Sequence, residues 1–246
     1  MIDWIVPDWP SPGNVKAVVT TRQGGVSQNI AGAYASFNLA THVNDNPDAV
    51  LQNRARLRRY LPAEPYWLTQ VHGTRPIWVD TSNEREGDAA ISRNRGIVCA
   101  ILVADCLPVL LCDTAGSVVA VVHAGWRGLA GGIVENTIRE MRKYVSGGQI
   151  IAWLGPAIGP GYFEVGEAVR AAFVAYNRQA AGAFVPAKEK GKWYANLFDL
   201  ARQRLAGTGV DQVYGGDVCT FSDARRFYSY RRDGVTGRMA GLVWLT

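Results

Sequence analysis

The chain has 246 residues, 48% hydrophobic and 19% charged, which excludes a disordered or fibrous protein and leaves apolar mass for a sizeable core. Its 27 glycines and 11 prolines imply many turns rather than a helical bundle, and its four cysteines are too few for a disulfide scaffold. The net charge of +5 rests on 26 basic residues, 21 of them arginine, whose planar fork suits phosphate and carboxylate partners; a coding bias toward arginine gives the same count.

In chain order, the first ten residues place Asp3 where a signal peptide carries lysines, and Pro7 and Pro10 where its apolar stretch would run, so a cytoplasmic protein with reduced thiols is expected. A strand is predicted over 15–20, then a glycine-rich turn at 23–25. Asn46 caps a helix with Pro47 in its first turn and an apolar stripe of Val50, Leu57 and Leu61. Strands over 66–71 and 77–79 join at His72-Gly73. The apolar block 96–122 reads as strand, a break at Asp105, strand, a turn at 113–116, strand. Its run from Ile97 to Ala104 falls far short of the ~20 residues of a membrane span.

After His123 a loop over 124–128 leads into a helix on which Ile133, Val134, Thr137, Ile138 and Met141 recur at helical spacing. A strand over 150–154, helices near 167–176 and 196–205, and strands near 212–214, 227–230 and 239–245 complete the chain. Strands outnumber helices and several are hairpin-linked, which predicts a mixed α+β fold with helices packed outside the sheets. The polar stretch 81–87 is too short for a domain linker, so one domain over 1–246 is expected.

Two basic segments invite a nucleic-acid reading. Arg54, Arg56, Arg58 and Arg59 fall on the first helix, where a solvated face accounts for them. Arg225 to Arg232 interleaves aromatics and alternates like a strand, with Phe227 and Ser229 on one face and Tyr228 and Tyr230 on the other. Neither is taken as a nucleic-acid site.

Only three histidines occur, and two of them, His72 and His123, sit at strand ends beside glycine-containing turns. Between them Cys106 stands at the break in the most hydrophobic block, next to Asp105, a charge that needs a partner there. One thiolate and two imidazoles make a three-ligand set suited to zinc with a fourth position open, as in catalytic sites. The intervals, 106 − 72 = 34 and 123 − 106 = 17, are not short ligand spacings, so convergence rests with the fold. Ordinary packing is the competing reading for each residue and is the one given to His42.

The segments 20–27, 37–39, Gln70-Val71-His72-Gly73, 104–109, Val122-His123-Ala124-Gly125-Trp126-Arg127-Gly128, 154–159 and 229–233 closely resemble the YfiH family of bacterial laccase-domain proteins, also called polyphenol oxidases and described as purine nucleoside phosphorylases. The resemblance runs from the first ten residues to the last strand. It implies a single-domain mixed α/β protein with zinc on His72, Cys106 and His123. It also implies phosphorolysis of adenosine, inosine and methylthioadenosine to free base and ribose 1-phosphate, with adenosine deamination as a second activity. Older descriptions of the family add copper-dependent phenol oxidation, and some members are linked to peptidoglycan precursor quality.

Three histidines cannot supply a blue copper site together with a trinuclear cluster, although a single Cu2+ in the zinc site stays open. The zinc-deaminase signature is absent: His72 is followed by Gly73-Thr74, and His123 by Ala124-Gly125. For phosphorolysis, the loop from Gly125 through Arg127 to Gly132 offers amides and a guanidinium to phosphate, while its glycines equally permit a tight strand-to-helix turn. Arg22 is the second substrate-binding candidate. Cys106 and His123 are the catalytic candidates, and a monomer acting on purine nucleosides and phosphate, with no nucleic-acid or membrane partner, is expected. A metal-free cysteine hydrolase on Cys106 and His123, and a binding module without turnover, are the alternatives.

Overall fold

The computed structural model describes residues 2–28, 32–145 and 147–246. Strands β1 (Trp4–Ile5) and β2 (Val15–Thr20) precede helix α1 (Pro47–Arg58) and the short strands β3 (Tyr66–Trp67) and β4 (Pro76–Trp78). The apolar centre of the chain forms β5 (Ala89–Ser92), β6 (Cys99–Val103), β7 (Leu107–Asp113) and β8 (Val119–Ala124), followed by α2 (Trp126–Gly131), α3 (Ile133–Arg142) and β9 (Ile150–Leu154). Then come β10 (Glu164–Gly166), α4 (Glu167–Tyr176), β11 (Phe184–Pro186), β12 (Lys192–Ala195), α5 (Leu197–Gly207), β13 (Val213–Gly215), α6 (Tyr230–Asp233) and β14 (Met239–Leu245).

The strands build a five-stranded sheet in the order β1-β2-β14-β6-β3, a six-stranded sheet in the order β13-β9-β7-β8-β5-β4, and a small sheet β10-β12-β11. The two large sheets pack face to face through side chains such as Ile101 and Val243 on one and Leu110 and Val121 on the other. Alternate residues of β7 and β8, among them Val109, Leu111 and Val122, point to the opposite face and pack on Ile133, Ile138 and Leu200 of α3 and α5. On the far side of the five-stranded sheet, Leu57 of α1 meets Val18, Leu242 and Trp244. Both faces of the central strands are thus covered, which is why β6 to β9 and β14 are buried throughout and read as predominantly apolar runs, with Asp113 closing β7 and His123 near the end of β8. The expected mixed α+β class with outer helices is what the chain adopts.

Local signals place many elements well. β2 and β14 match their predicted strands, and the Asn46 side chain caps α1 by accepting from the backbone N–H groups of Asp48 and Ala49. Three expectations need correction. The strand predicted over 66–71 shortens to β3, and β3 and β4 lie in different sheets, so the chain crosses from one sheet to the other at His72 rather than turning a hairpin. The break expected at Asp105 is present, and it is a second such crossing, from β6 to β7, with Asp105 at φ 78°. The loop over 124–128 is mostly the helix α2, where packing of Leu129 on the core overrides the poor helix propensity of glycine; Gly132 at φ 101° ends it and starts α3. The strand over 227–230 is absent: Phe227 and Tyr228 are both buried, Ser229 caps α6, and Tyr230 is 61% exposed. The small sheet β10-β12-β11 was not anticipated.

Candidate metal centre and cavity

The two sheet crossings end at the same place. β7 and β8 pair antiparallel with Leu107 opposite Ala124 and Pro108 opposite His123, so Cys106, at the start of β7, falls beside Gly125, at the end of β8. β5 pairs with the other edge of β8, where the Asp88 carbonyl accepts from the His123 backbone N–H at 2.7 Å. His72 comes over this corner on the crossing from β3. The donor atoms of His72, Cys106 and His123 lie within 4.8 Å of one another, with His72 Nε2 3.8 Å from Cys106 Sγ and the imidazoles edge to face.

Asp88, which sequence reasoning missed, organises the cluster. Its buried carboxylate lies 2.8 Å from His123 Nδ1 and accepts the backbone N–H groups of Val71 (3.2 Å), His72 (3.0 Å) and Gly73 (2.7 Å). The three amide bonds hold His72 at φ 58°, a left-handed conformation uncommon for a non-glycine residue. The contact to His123 Nδ1 leaves Nε2 for the cluster. An acid immediately before the apolar strand β5 was the one available signal.

Gly125 answers why glycine recurs after His123. A Cβ there would sit 2.8 Å from His72 Cδ2 and 3.1 Å from Cys106 Sγ, and one on Gly128 would sit 2.8 Å from the Gly73 carbonyl oxygen. These glycines let the start of α2 approach the crossing that carries His72. The donor types, their convergence, the oriented His123 and the space kept by Gly125 together fit a metal ion.

Burial alone would raise the Cys106 thiol, but the facing imidazoles of His123 and His72 reverse this and bring it down to about 6. Burial likewise opposes charge on His123, whereas Cys106 and Asp88 push it up to about 9. Asp88 stays below the usual carboxylate range despite burial, held by His123 and the amides it accepts from. Cys99 and Cys112 go the other way: burial raises both, Cys112 to about 12.

The cluster opens into a cavity of about 490 Å³, a size typical of small-molecule sites. Trp126, Phe163 and Tyr230 give it aromatic surface, and Arg127, Arg231 and Arg238 give it positive charge. His42, read from sequence as packing, lines the cavity instead. Asp105 also reaches it, with its charge satisfied: Oδ1 accepts from Thr220 Oγ1 at 2.6 Å, and Oδ2 from Ser229 Oγ at 3.0 Å and the Arg231 N–H at 2.7 Å. These bonds draw residues 229–231 into a turn in place of the expected strand.

Of the sequence candidates, His72, Cys106, His123 and Arg127 come together around this cavity, while Arg22 does not line it. The Arg22 guanidinium donates to the carbonyls of Ala35, Ala224 and Gly32 and lies 4.7 Å from the Tyr228 ring, where it ties loops together. Nothing local in the sequence distinguishes the cavity residues Arg231 and Arg238 from surface arginines. In the basic stretch 225–232, Arg232 donates to the carbonyls of Thr220, Phe221 and Phe227, and Arg226 pairs with Asp3. Among the described residues no helix is long and apolar enough to cross a membrane.

Residues 16–246 match the family described as multi-copper polyphenol oxidoreductase laccase. A protein of Pseudomonas aeruginosa named purine nucleoside phosphorylase is 52% identical over 242 residues, 98% of each chain. The purine nucleoside phosphorylase YfiH of Escherichia coli is 48% identical over 245 residues, again 98% of each. Among solved structures, a Neisseria meningitidis protein superposes with a TM-score of 0.91 at 47% identity, covering 98% of both chains.

Proposed function

We propose that this chain, which belongs to the YfiH family of laccase-domain proteins, is a metal-dependent purine nucleoside phosphorylase with one zinc ion on His72, Cys106 and His123. The observation that carries the reading is the convergence of these three donors at a cavity lined by both aromatic and arginine side chains. The names of its relatives supply the substrate class. Adenosine, inosine and methylthioadenosine are the proposed substrates, with adenosine deamination as a second activity. With one thiolate and two imidazoles the donor set suits zinc, and two of the three histidines in the chain are consumed by a single centre, which argues against multicopper oxidation.

Phosphorolysis joins a phosphate oxygen to C1′ of the ribose as the bond from C1′ to the purine nitrogen breaks, and the departing base takes up a proton. A bound zinc supplies Lewis acidity that stabilises negative charge developing at the reacting centre. Trp126, Phe163 and Tyr230 offer faces for the purine, and Arg127, on α2 directly after the cluster, offers its guanidinium to the phosphate at the cavity mouth. Asp88 keeps the His123 proton on Nδ1 and so directs Nε2 inward. Cys106 and His123 are the residues proposed to carry the chemistry. Copper-free protein of measured zinc content, incubated with inosine, should release hypoxanthine and ribose 1-phosphate only when phosphate is present. No base release from fully zinc-loaded protein refutes the reading.

A second reading has one observation in its favour. The lowered Cys106, the raised His123 and the Asp88 contact to His123 Nδ1 reproduce the order of a thiolate–imidazolium–carboxylate hydrolase on an amide or ester, such as one found in a peptidoglycan precursor. Chelation separates the two: the phosphorylase loses activity with its metal, and the hydrolase gains it as Cys106 becomes free.

A further inference from the structure

The three cavity arginines differ in what else they hold. Arg231 donates to the carbonyls of Glu164 at 2.9 Å and Tyr162 at 3.4 Å, and so anchors the segment leading into β10. Arg127 is exposed and lies 4.5 Å from the Trp126 ring centroid. Arg238 is half-buried, lies 5.9 Å from the Tyr230 ring centroid, and donates through Nη1 alone, to the carbonyls of Thr236 at 2.8 Å and Gly237 at 3.0 Å. Among the described residues its Nε and Nη2 have no protein acceptor, and no carboxylate pairs with it. Asp105, whose charge reaches Arg238, has both oxygens occupied by Thr220, Ser229 and the Arg231 amide.

Burial opposes the charge of the Arg238 guanidinium and lowers its pKa, against the pull of Cys106 and Asp105 in the other direction. His42 lines the same cavity and makes no protein hydrogen bond among the described residues. Burial and then the charge of Arg238 lower its pKa, which favours the neutral imidazole with its single N–H donor. Arg238 and His42 line the same cavity as His72, Cys106 and His123, which puts these donors near the metal-binding cluster.

We propose that Arg238 and His42 form an oxyanion subsite beside the His72–Cys106–His123 cluster, with the free Nε and Nη2 of Arg238 binding two oxygens of a tetrahedral anion and His42 donating to a third. The identification of that anion as inorganic phosphate rests on the phosphorylase reading; the subsite itself rests on the unpaired donors. Arg127 then acts as an outer contact, screened by solvent, while Arg238 supplies the inner one.

The test titrates zinc-loaded wild type, Arg238→Gln, His42→Gln and the charge-matched surface control Arg59→Gln with inorganic phosphate by calorimetry, and measures the KM for phosphate with inosine. Arg238→Gln should weaken phosphate at least roughly tenfold and His42→Gln roughly threefold, with Arg59→Gln within about twofold of wild type. Unchanged phosphate affinity in Arg238→Gln, or a wild type that binds no phosphate at millimolar concentration, overturns the subsite. If a thermal melt shows that Arg238→Gln does not fold, Arg238→Lys and His42→Gln carry the test, and wild-type affinity in both overturns it. Arg238-dependent phosphate binding without base release sinks the phosphorylase reading and leaves the subsite standing. Phosphorolysis with an unchanged phosphate KM in Arg238→Gln does the reverse.

Discussion

The Asp88 carboxylate meets His123 Nδ1 at 2.8 Å while the same group accepts the backbone amides around His72, so one buried acid sets both imidazoles. An amide in its place would have to donate where Asp88 accepts. Its NH2 group would face the His72 N–H and His123 Nδ1, which turns His123 to the tautomer protonated on Nε2 and unable to bind a metal through that atom. Asp88→Asn should therefore lower zinc affinity about ten- to hundredfold, measured by competition with a chromogenic chelator. Wild-type affinity in this variant would show that Asp88 does not orient the ligands.

Gly125→Ala probes the space rather than the charge. The φ of Gly125 is −64°, which alanine adopts without strain, yet its methyl would press on His72 and Cys106. Zinc content at limiting metal should drop while the thermal midpoint of the metal-free protein stays within about 3 °C of wild type, equivalent to roughly 1 kcal/mol or less. A fully loaded Gly125→Ala protein would show that the cluster has slack.

Alkylation of metal-free protein should rank the cysteines. Cys106, lowered to about 6, is mostly thiolate at pH 7, whereas Cys112, raised to about 12, is almost wholly thiol and buried, and Cys99 is buried and raised as well. Iodoacetamide followed by peptide mass spectrometry should label Cys106 first. Because the thiolate is the lower-proton form, labelling should slow as pH falls through about 6 and level off above it. Zinc should protect Cys106 and leave the other cysteines unchanged.

Arg127→Ala should raise the KM for phosphate by roughly three- to tenfold, a modest effect because its guanidinium is exposed and screened. Zinc stoichiometry should not change, since Arg127 is not one of the three donors. Loss of zinc in this variant would show that α2 supports the cluster as well as the phosphate.

The amino-acid sequence by itself determined the elements whose signals are local. β2, β14, the Asn46-capped α1, the buried runs on either side of Asp105, and α3 with Ile133, Val134, Thr137, Ile138 and Met141 on its buried face all follow from periodicity and capping within about ten residues. It also marked His72, Cys106 and His123 as candidates, through their residue types and positions at strand ends. Only the tertiary structure decided that these three meet, because intervals of 34 and 17 residues are closed by sheet pairing between distant segments, and the register of β7 on β8 brings Cys106 beside Gly125. The same holds for the partition of β3 from β4 and β6 from β7 into different sheets, for Asp88 as the shared acceptor, and for the turn that Asp105 imposes on 229–231 in place of a strand. Each depends on a hydrogen bond to a residue far away in the chain, and periodicity carries no record of such a partner.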